Sequence, residues 1–273
     1  GCPSASSGYS VTISNAELYT ITSLFGTRTG ILWETPSAED GVITNCMLGR
    51  FNCAGILARD TGGGVDCNLY ISDTFVRNCI AGLFVQKNSE FLRVCNNTFV
   101  RNFYGILTRG GNTYVSNCGL DANRIGLQVD NEEGSNGGHV ILTASDPKID
   151  GDILVDGVST LNLYLNDGSS FTGAINPDGE EGEVYVEIED GSTWILTGDS
   201  YITSLTCSAG SIDLNGYKLY VSGTEYEEGT ASEGTEIEWT ASSSGNNGNT
   251  PPSGDMPGGT PPERPESGPS GQG

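Results

Sequence analysis

The sequence predicts an all-β fold, a single right-handed parallel β-helix (solenoid) of about ten turns over residues 1–240, followed by a disordered tail over residues 241–273. Three observations predict it. An Asn-x-x-Gly phrase recurs, at Asn102 with Gly105 and again at Asn123 with Gly126, and the same glycine is found at Gly82, Gly55 and Gly30, at spacings of 21, 23, 27 and 25 residues. β-Branched runs such as "VTI" and "VYVEI" are joined by Gly, Asn, Asp and Ser, with no helical period. Apolar and polar residues alternate strictly through 161–166 and 184–189.

The first half, residues 1–139, follows from the repeat. A drifting period in the low twenties around a fixed apolar core is a stack of one unit with loops of variable length. A second matched segment precedes the glycine: "DTFVRN" at 73–78, "NTFVRN" at 97–102 and "GLDAN" at 119–123. A leucine-rich horseshoe would need regularly spaced leucines and a helical segment in each repeat, and neither is present. In a β-helix, successive turns lie about 4.8 Å apart, so equivalent residues form columns. Asn52, Asn78, Asn102 and Asn123 align as such a column, with amides that can hydrogen-bond along the stack. The glycine that follows is expected to supply a turn conformation closed to residues with a Cβ.

The phrases "NCAGILA", "RNFYGILT" and "ANRIGLQV" resemble the parallel β-helix repeat of pectate-lyase-like proteins, over roughly residues 10–140. That resemblance implies the fold and leaves the activity open.

Residues 140–240 form the acidic half. "LNLYLNDGSSFTGAI" (161–175) matches "VEIEDGSTWILTGDS" (186–200), with Gly168 and Gly191 23 residues apart, and "SIDLNGYKLYVSG" (211–223) reads as a further turn. This stretch is similar to the β-helical stalks of bacterial adhesins and autotransporter passengers, and to acidic β-helical surface proteins of gut Firmicutes. The resemblance implies an extracellular or cell-surface location and, for some of those proteins, carbohydrate binding. Residues 241–273, rich in Pro and Gly, hold too few apolar groups to offset chain entropy and read as a linker.

Charge narrows the partners. The net charge is −23, with 9 Lys/Arg against 12 Asp/Glu in residues 1–139 and 3 against 23 in residues 140–273. Such a surface disfavours nucleic acid and anionic lipid, and no apolar stretch is long enough to insert as a membrane helix. The chain opens on Gly1 rather than Met, as a processed or excised chain would, and "GYSVTISNAELYTI" already reads as a turn. The 8 cysteines include no CxxC pair and there is 1 histidine, so no metal site is predicted, although acidic turns such as "DNEEG" (130–134) leave Ca²⁺ binding open. Cys53 and Cys79, on neighbouring turns, are either stacked thiols or a disulfide.

Candidate surfaces follow from the columns. Leu32, Leu57, Phe84, Leu107 and Gln128 form an outward stripe, covered by the chain itself or used for lateral self-association through Leu57, Phe84 and Leu107. Two residues further on, Glu34, Arg59, Gln86, Arg109 and Asp130 form a charged column. A lyase would use an arginine there as proton abstractor and carboxylates to hold Ca²⁺; Arg59 with Asp60 and Asp66, or Arg109 with Asp130, have the residue types, yet Glu34–Arg59 and Arg109–Asp130 also pair as cross-strand opposite charges. The clustered aspartates and Gly-His-Gly of related hydrolases are missing, and His139 has no partner histidine. In the acidic half, Tyr164 and Tyr185 face outward beside Glu187, Asn162 and Asn166, a composition on which sugar rings can stack. The sequence therefore favours a non-catalytic β-helix that binds polysaccharide or a cell-surface glycan through Tyr164, Tyr185, Glu187, Arg59, Arg109 and Asp130, or that serves as an adhesive stalk. The alternative is a polysaccharide lyase or glycoside hydrolase.

Overall fold

The computed structural model describes residues 11–20, 28–35, 41–60, 69–86, 91–131, 137–145, 148–179 and 182–239. The linker predicted over 241–273, and Asp66, lie outside them. The described chain is a parallel β-solenoid with no helix.

Two walls are sheets of nine strands and a third has six. The first wall runs from Val11–Ser14 through Gly41–Thr44, Leu69–Ser72, Phe91–Cys95, Asn112–Ser116, His139–Ser145, Thr160–Asn166 and Glu183–Ile188 to Ser204–Cys207. The second begins at Glu17–Tyr19 and includes Met47–Gly49, Phe75–Arg77, Thr98–Val100 and Gly119–Asp121. The third is Ile31–Thr35, Ala54–Asp60, Ala81–Gln86, Tyr104–Arg109, Ile125–Asp130 and Asp152–Val155, and it then shrinks to a bridge between Ile153 and Ile175. The stack therefore has about seven turns rather than ten. Beyond that bridge a separate short sheet pairs Ser200–Ile202 with Leu219–Val221 in parallel, and residues 224–239 do not add a turn.

The repeat sits in register. Ile106 pairs with Leu127 and Leu83, and Ile56 pairs with Ile31 and Leu83. In the acidic half Leu161, Leu163 and Leu165 lie against Val184, Val186 and Ile188, all buried. One continuous apolar core fills the coil, with Phe171 stacked on Trp194 at 5.5 Å between centroids.

The polar column differs from the sequence expectation in one member. Asn102 Oδ1 accepts the Cys79 N–H at 2.9 Å, and Asn123 Oδ1 accepts the Asn102 N–H at 2.9 Å. Asn102 Nδ2 donates to the Val76 carbonyl and Asn123 Nδ2 to that of Phe99. Cys79 therefore takes the place expected for Asn78, which stands one residue earlier, exposed, at φ 55. Asn52 is also exposed, and its Oδ1 accepts the Arg28 N–H while Phe51 is turned inside. A second internal ladder, not anticipated, runs through Thr74 and Asn97: the Thr74 N–H donates to Asn97 Oδ1, and Asn97 Nδ2 donates to the carbonyls of Ile71 and Cys95.

The repeat glycines also act differently from expectation. Gly30, Gly55, Gly82, Gly105 and Gly126 lie beside or within third-wall strands and none has a positive φ. A Cβ on Gly105 would meet the Gly126 carbonyl oxygen at 2.6 Å, and one on Gly82 would meet that of Gly105 at 2.6 Å. They are glycines because adjacent turns approach too closely for a side chain. Left-handed backbone at the corner between the first and second walls is supplied instead by Asn15, Asn45, Asp73, Asn96 and Asn117, residue types that tolerate it.

Candidate functional site

The third wall brings the charged column together as rungs of a ladder. Glu34 stands opposite Arg59 and Arg109 opposite Asp130. Arg59 bonds Glu34, and Arg109 closes a fork on Asp130, Nε to Oδ1 and Nη2 to Oδ2, both at 2.8 Å. Gln128 Nε2 adds a bond to Asp130 Oδ2 at 2.8 Å. Each arginine thus spends its donors on a carboxylate one turn away. The pairs are partly exposed, so each contributes only tenths of a kcal/mol to stability, up to about 1.

Beside that column the apolar stripe faces outward as expected, and much of it is covered. Leu57 and Leu107 are buried in a small cluster with Ala54 and Ala81, and Phe84 lies under the Arg109 guanidinium at 5.8 Å. Cys53 and Cys79 are both free thiols. Burial pushes the Cys79 thiol up, and that of Cys118 up to about 12, so neither is a ready thiolate nucleophile. Cys46 and Cys118 lie three strands apart along the second wall's entrance and do not pair.

The tyrosines of the acidic half also face outward, stacked edge to face with centroids 5.9 Å apart. They are not open. Residues 232–239 turn back and cross the first wall over four successive strands. A bridge joins Ser232 to Cys207; the Gly234 N–H donates to Thr206 Oγ1 and the Thr235 N–H to Ser204 Oγ. Further along, the Asn162 side-chain amide makes two bonds to the Ile237 backbone, at 3.1 and 3.2 Å, and Trp239 packs on His139 with ring centroids 4.3 Å apart. A Cβ at Gly234 would meet Ser204 Oγ at 2.4 Å, so this contact also needs glycine for close approach.

Beneath this strap Tyr185 is 3 % exposed. Its hydroxyl donates to Glu187 Oε2 at 2.7 Å and accepts from Thr206 at 3.0 Å, and burial pushes its pKa up to about 12. Tyr164 is pushed up as well, first by burial and then by its hydrogen bond to Glu236 on the strap. His139 Nδ1 lies 2.8 Å from Thr160 Oγ1, and burial lowers its pKa to about 4, leaving a neutral ring at ordinary pH.

The predicted ligand residues therefore separate into two groups, Arg59, Arg109 and Asp130 on the third wall and Tyr164, Tyr185 and Glu187 under the strap on the first. The strap was missed in the sequence. Its signal is Ile237 and Trp239, two residues apart in an otherwise acidic segment, but a segment that crosses strands has no periodicity to reveal its direction. Among the described residues no group of three His, Cys, Asp or Glu side chains is placed to hold a metal ion, and no helix is long and apolar enough to cross a membrane. Compared with protein-family models, curated proteins and solved structures, the chain gives no match.

Proposed function

We propose that this chain is a non-catalytic, extracellular or cell-surface β-helix domain that binds polysaccharide. The observation that carries the reading is the column geometry: equivalent side chains recur one strand apart along three walls, a regular array suited to a repeating polymer. The similarity of the acidic half to β-helical surface stalks supports the location. The arginines a lyase would use are forked onto Glu34 and Asp130 across neighbouring turns, which favours a structural role for them over proton abstraction.

The tyrosine face has the composition for sugar stacking, but the strap must lift before a sugar reaches Tyr185. The surface open to a polymer in this state is therefore elsewhere on the coil. The test is a glycan array probed with and without chelator, alongside a turnover assay on acidic polysaccharides. Binding without turnover is expected. Release of unsaturated oligosaccharides, lost in Arg59→Ala or Arg109→Ala, would replace this reading with the lyase.

A further inference from the structure

Where the second wall passes into the third, four successive turns each carry one exposed arginine. Arg77 ends the strand Phe75–Arg77, Arg50 and Arg101 follow the strands Met47–Gly49 and Thr98–Val100, and Arg124 follows Gly119–Asp121. The turns are joined at this corner by main-chain bonds, the Arg50 N–H to the Arg77 carbonyl and the Arg101 N–H to that of Asp121. In a chain of net charge −23 with 12 Lys and Arg, this is a marked concentration of cations on one edge. Among the described residues none of the four makes an ion pair, in contrast to Arg59 and Arg109.

Two of the guanidiniums are held in place without losing their hydrogen-bonding edges. Arg124 lies over the Phe103 ring at 4.9 Å, and Arg77 lies over the rings of Tyr19 at 5.8 Å and Phe75 at 5.9 Å. Arg77 and Tyr19 meet across Gly49, where a Cβ would stand 2.9 Å from the Tyr19 ring. Stacking fixes the plane of a guanidinium and leaves its N–H groups for a carboxylate or sulfate.

The other two border a groove. Arg50 and Arg101 line a shallow depression of about 420 Å³ together with Asn52, Asn78 and Ile80, the last of which is 50 % exposed. Both arginines also occupy left-handed backbone, at φ 66 and 54, in the column where Asn78 stands at φ 55. The corresponding column at the other corner is filled by Asn and Asp alone. The same column also holds Ala122 at φ 51, so the position accepts several residue types, and at Arg50 and Arg101 it directs a cation outward.

We infer that this corner is a docking edge for a linear polyanionic glycan bearing about one carboxylate or sulfate per sugar. The inference rests on the polysaccharide-binding reading above. Successive turns, about 4.8 Å apart, each present one cation, offset along the corner by up to three positions, with Arg50 and Arg101 in one column two turns apart. Ile80 supplies an apolar face between them, and the amide of Asn78 can take hydroxyls. Acidic residues reach this edge on the turns beyond Arg101, at Asp121 and then Asp150, so the cationic stretch is densest at Arg50, Arg77 and Arg101 and ends at Arg124.

The test is titration of the full chain with polygalacturonate, dextran sulfate, neutral dextran and poly(dT) at near-physiological salt. Arg50→Asn combined with Arg101→Asn is the diagnostic variant, because Asn already occupies this backbone position at residue 78, and Lys218→Gln is the charge control. The wild type is expected to bind polygalacturonate, dextran sulfate or both, the two arms separating carboxylate from sulfate recognition. The double variant should bind about tenfold more weakly or worse, and the control unchanged. Unchanged binding by the double variant overturns the inference, as does equal binding of poly(dT), which would indicate undirected charge attraction. Binding of neutral dextran alone sinks the corner and leaves the polysaccharide reading standing; binding of none of the glycans removes both.

Discussion

In residues 11–145 adjacent turns are tied by side chains inside the coil, with Asn102 and Asn123 spanning from one turn to the next and glycines thinned so that backbones touch. In residues 148–239 the inner face is largely aliphatic and aromatic, and the turns are closed locally by pairs such as Asp167–Gly168, at φ 52 and 78. Glycine does two different jobs in the coil: close approach, which Gly173 and Gly182 of the second half share with the repeat glycines, and left-handed turns, which are concentrated in the second half. Gly105 is required by what lies beside it, whereas Gly191, at φ 91 with nothing within 4 Å of an added Cβ, is required by its own backbone.

Substituting both glycines by alanine sharpens that contrast. Gly105→Ala forces a methyl against a backbone carbonyl and the Asn123 amide, neither of which can rotate away, so a loss of about 3 kcal/mol or more is expected. Gly191→Ala meets only torsional strain and should cost about 1 kcal/mol. Denaturant unfolding of both variants measures the difference. Equal losses would mean that the turns can slide apart, and the close-approach account of Gly105 would be wrong.

The asparagines provide a smaller contrast within the first half. Asn102→Ala leaves the buried Cys79 N–H without its acceptor and removes the amide's bond to the Val76 carbonyl, and is expected to cost about 2–3 kcal/mol. Asn78→Ala removes only a side chain suited to left-handed backbone, for about 1 kcal/mol or less. If Asn78 proved the costlier site, the internal ladder would not be what joins these turns.

These two residues mark how far the sequence could be read. Spacing alone set the fold, because a column of like residues needs only period and composition, and the register of Gly105 with Gly126 and of Leu161 with Val184 follows from it. Spacing could not separate Asn78 from Cys79, since both neighbour the repeat phrase and one inserted residue exchanges inside for outside. The glycine's mechanism was misread because close approach and positive φ leave the same letter. The candidate surfaces were legible only as columns: alternation places Tyr164 and Tyr185 outward, but their cover comes from residues 232–239, brought there by tertiary contacts such as Asn162 with Ile237. The arginine corner was hidden for a related reason, its four members falling at different points of the repeat.

The strap gives the two halves different responses to acid. His139 is the only histidine, and its proton affinity is lowered by burial beside Trp239, to a pKa of about 4. The lifted or unfolded state holds a histidine with the ordinary pKa of about 6.5, so it takes up a proton that the closed strap refuses. Closure is therefore fully stable above about pH 6.5 and weakens as pH falls toward 4, by about 1–2 kcal/mol once solvent screening of a partly exposed ring is allowed for. The turns of residues 91–131 contain no histidine and should not follow this transition. Proton NMR of the single imidazole reads it directly: Trp239→Ala should move the titration up toward 6.5 and speed amide exchange in residues 232–239 without loosening residues 91–131. A wild-type histidine titrating near 6.5 would show that the strap does not bury it, and with that the closed state of the tyrosine face would lose its main lock.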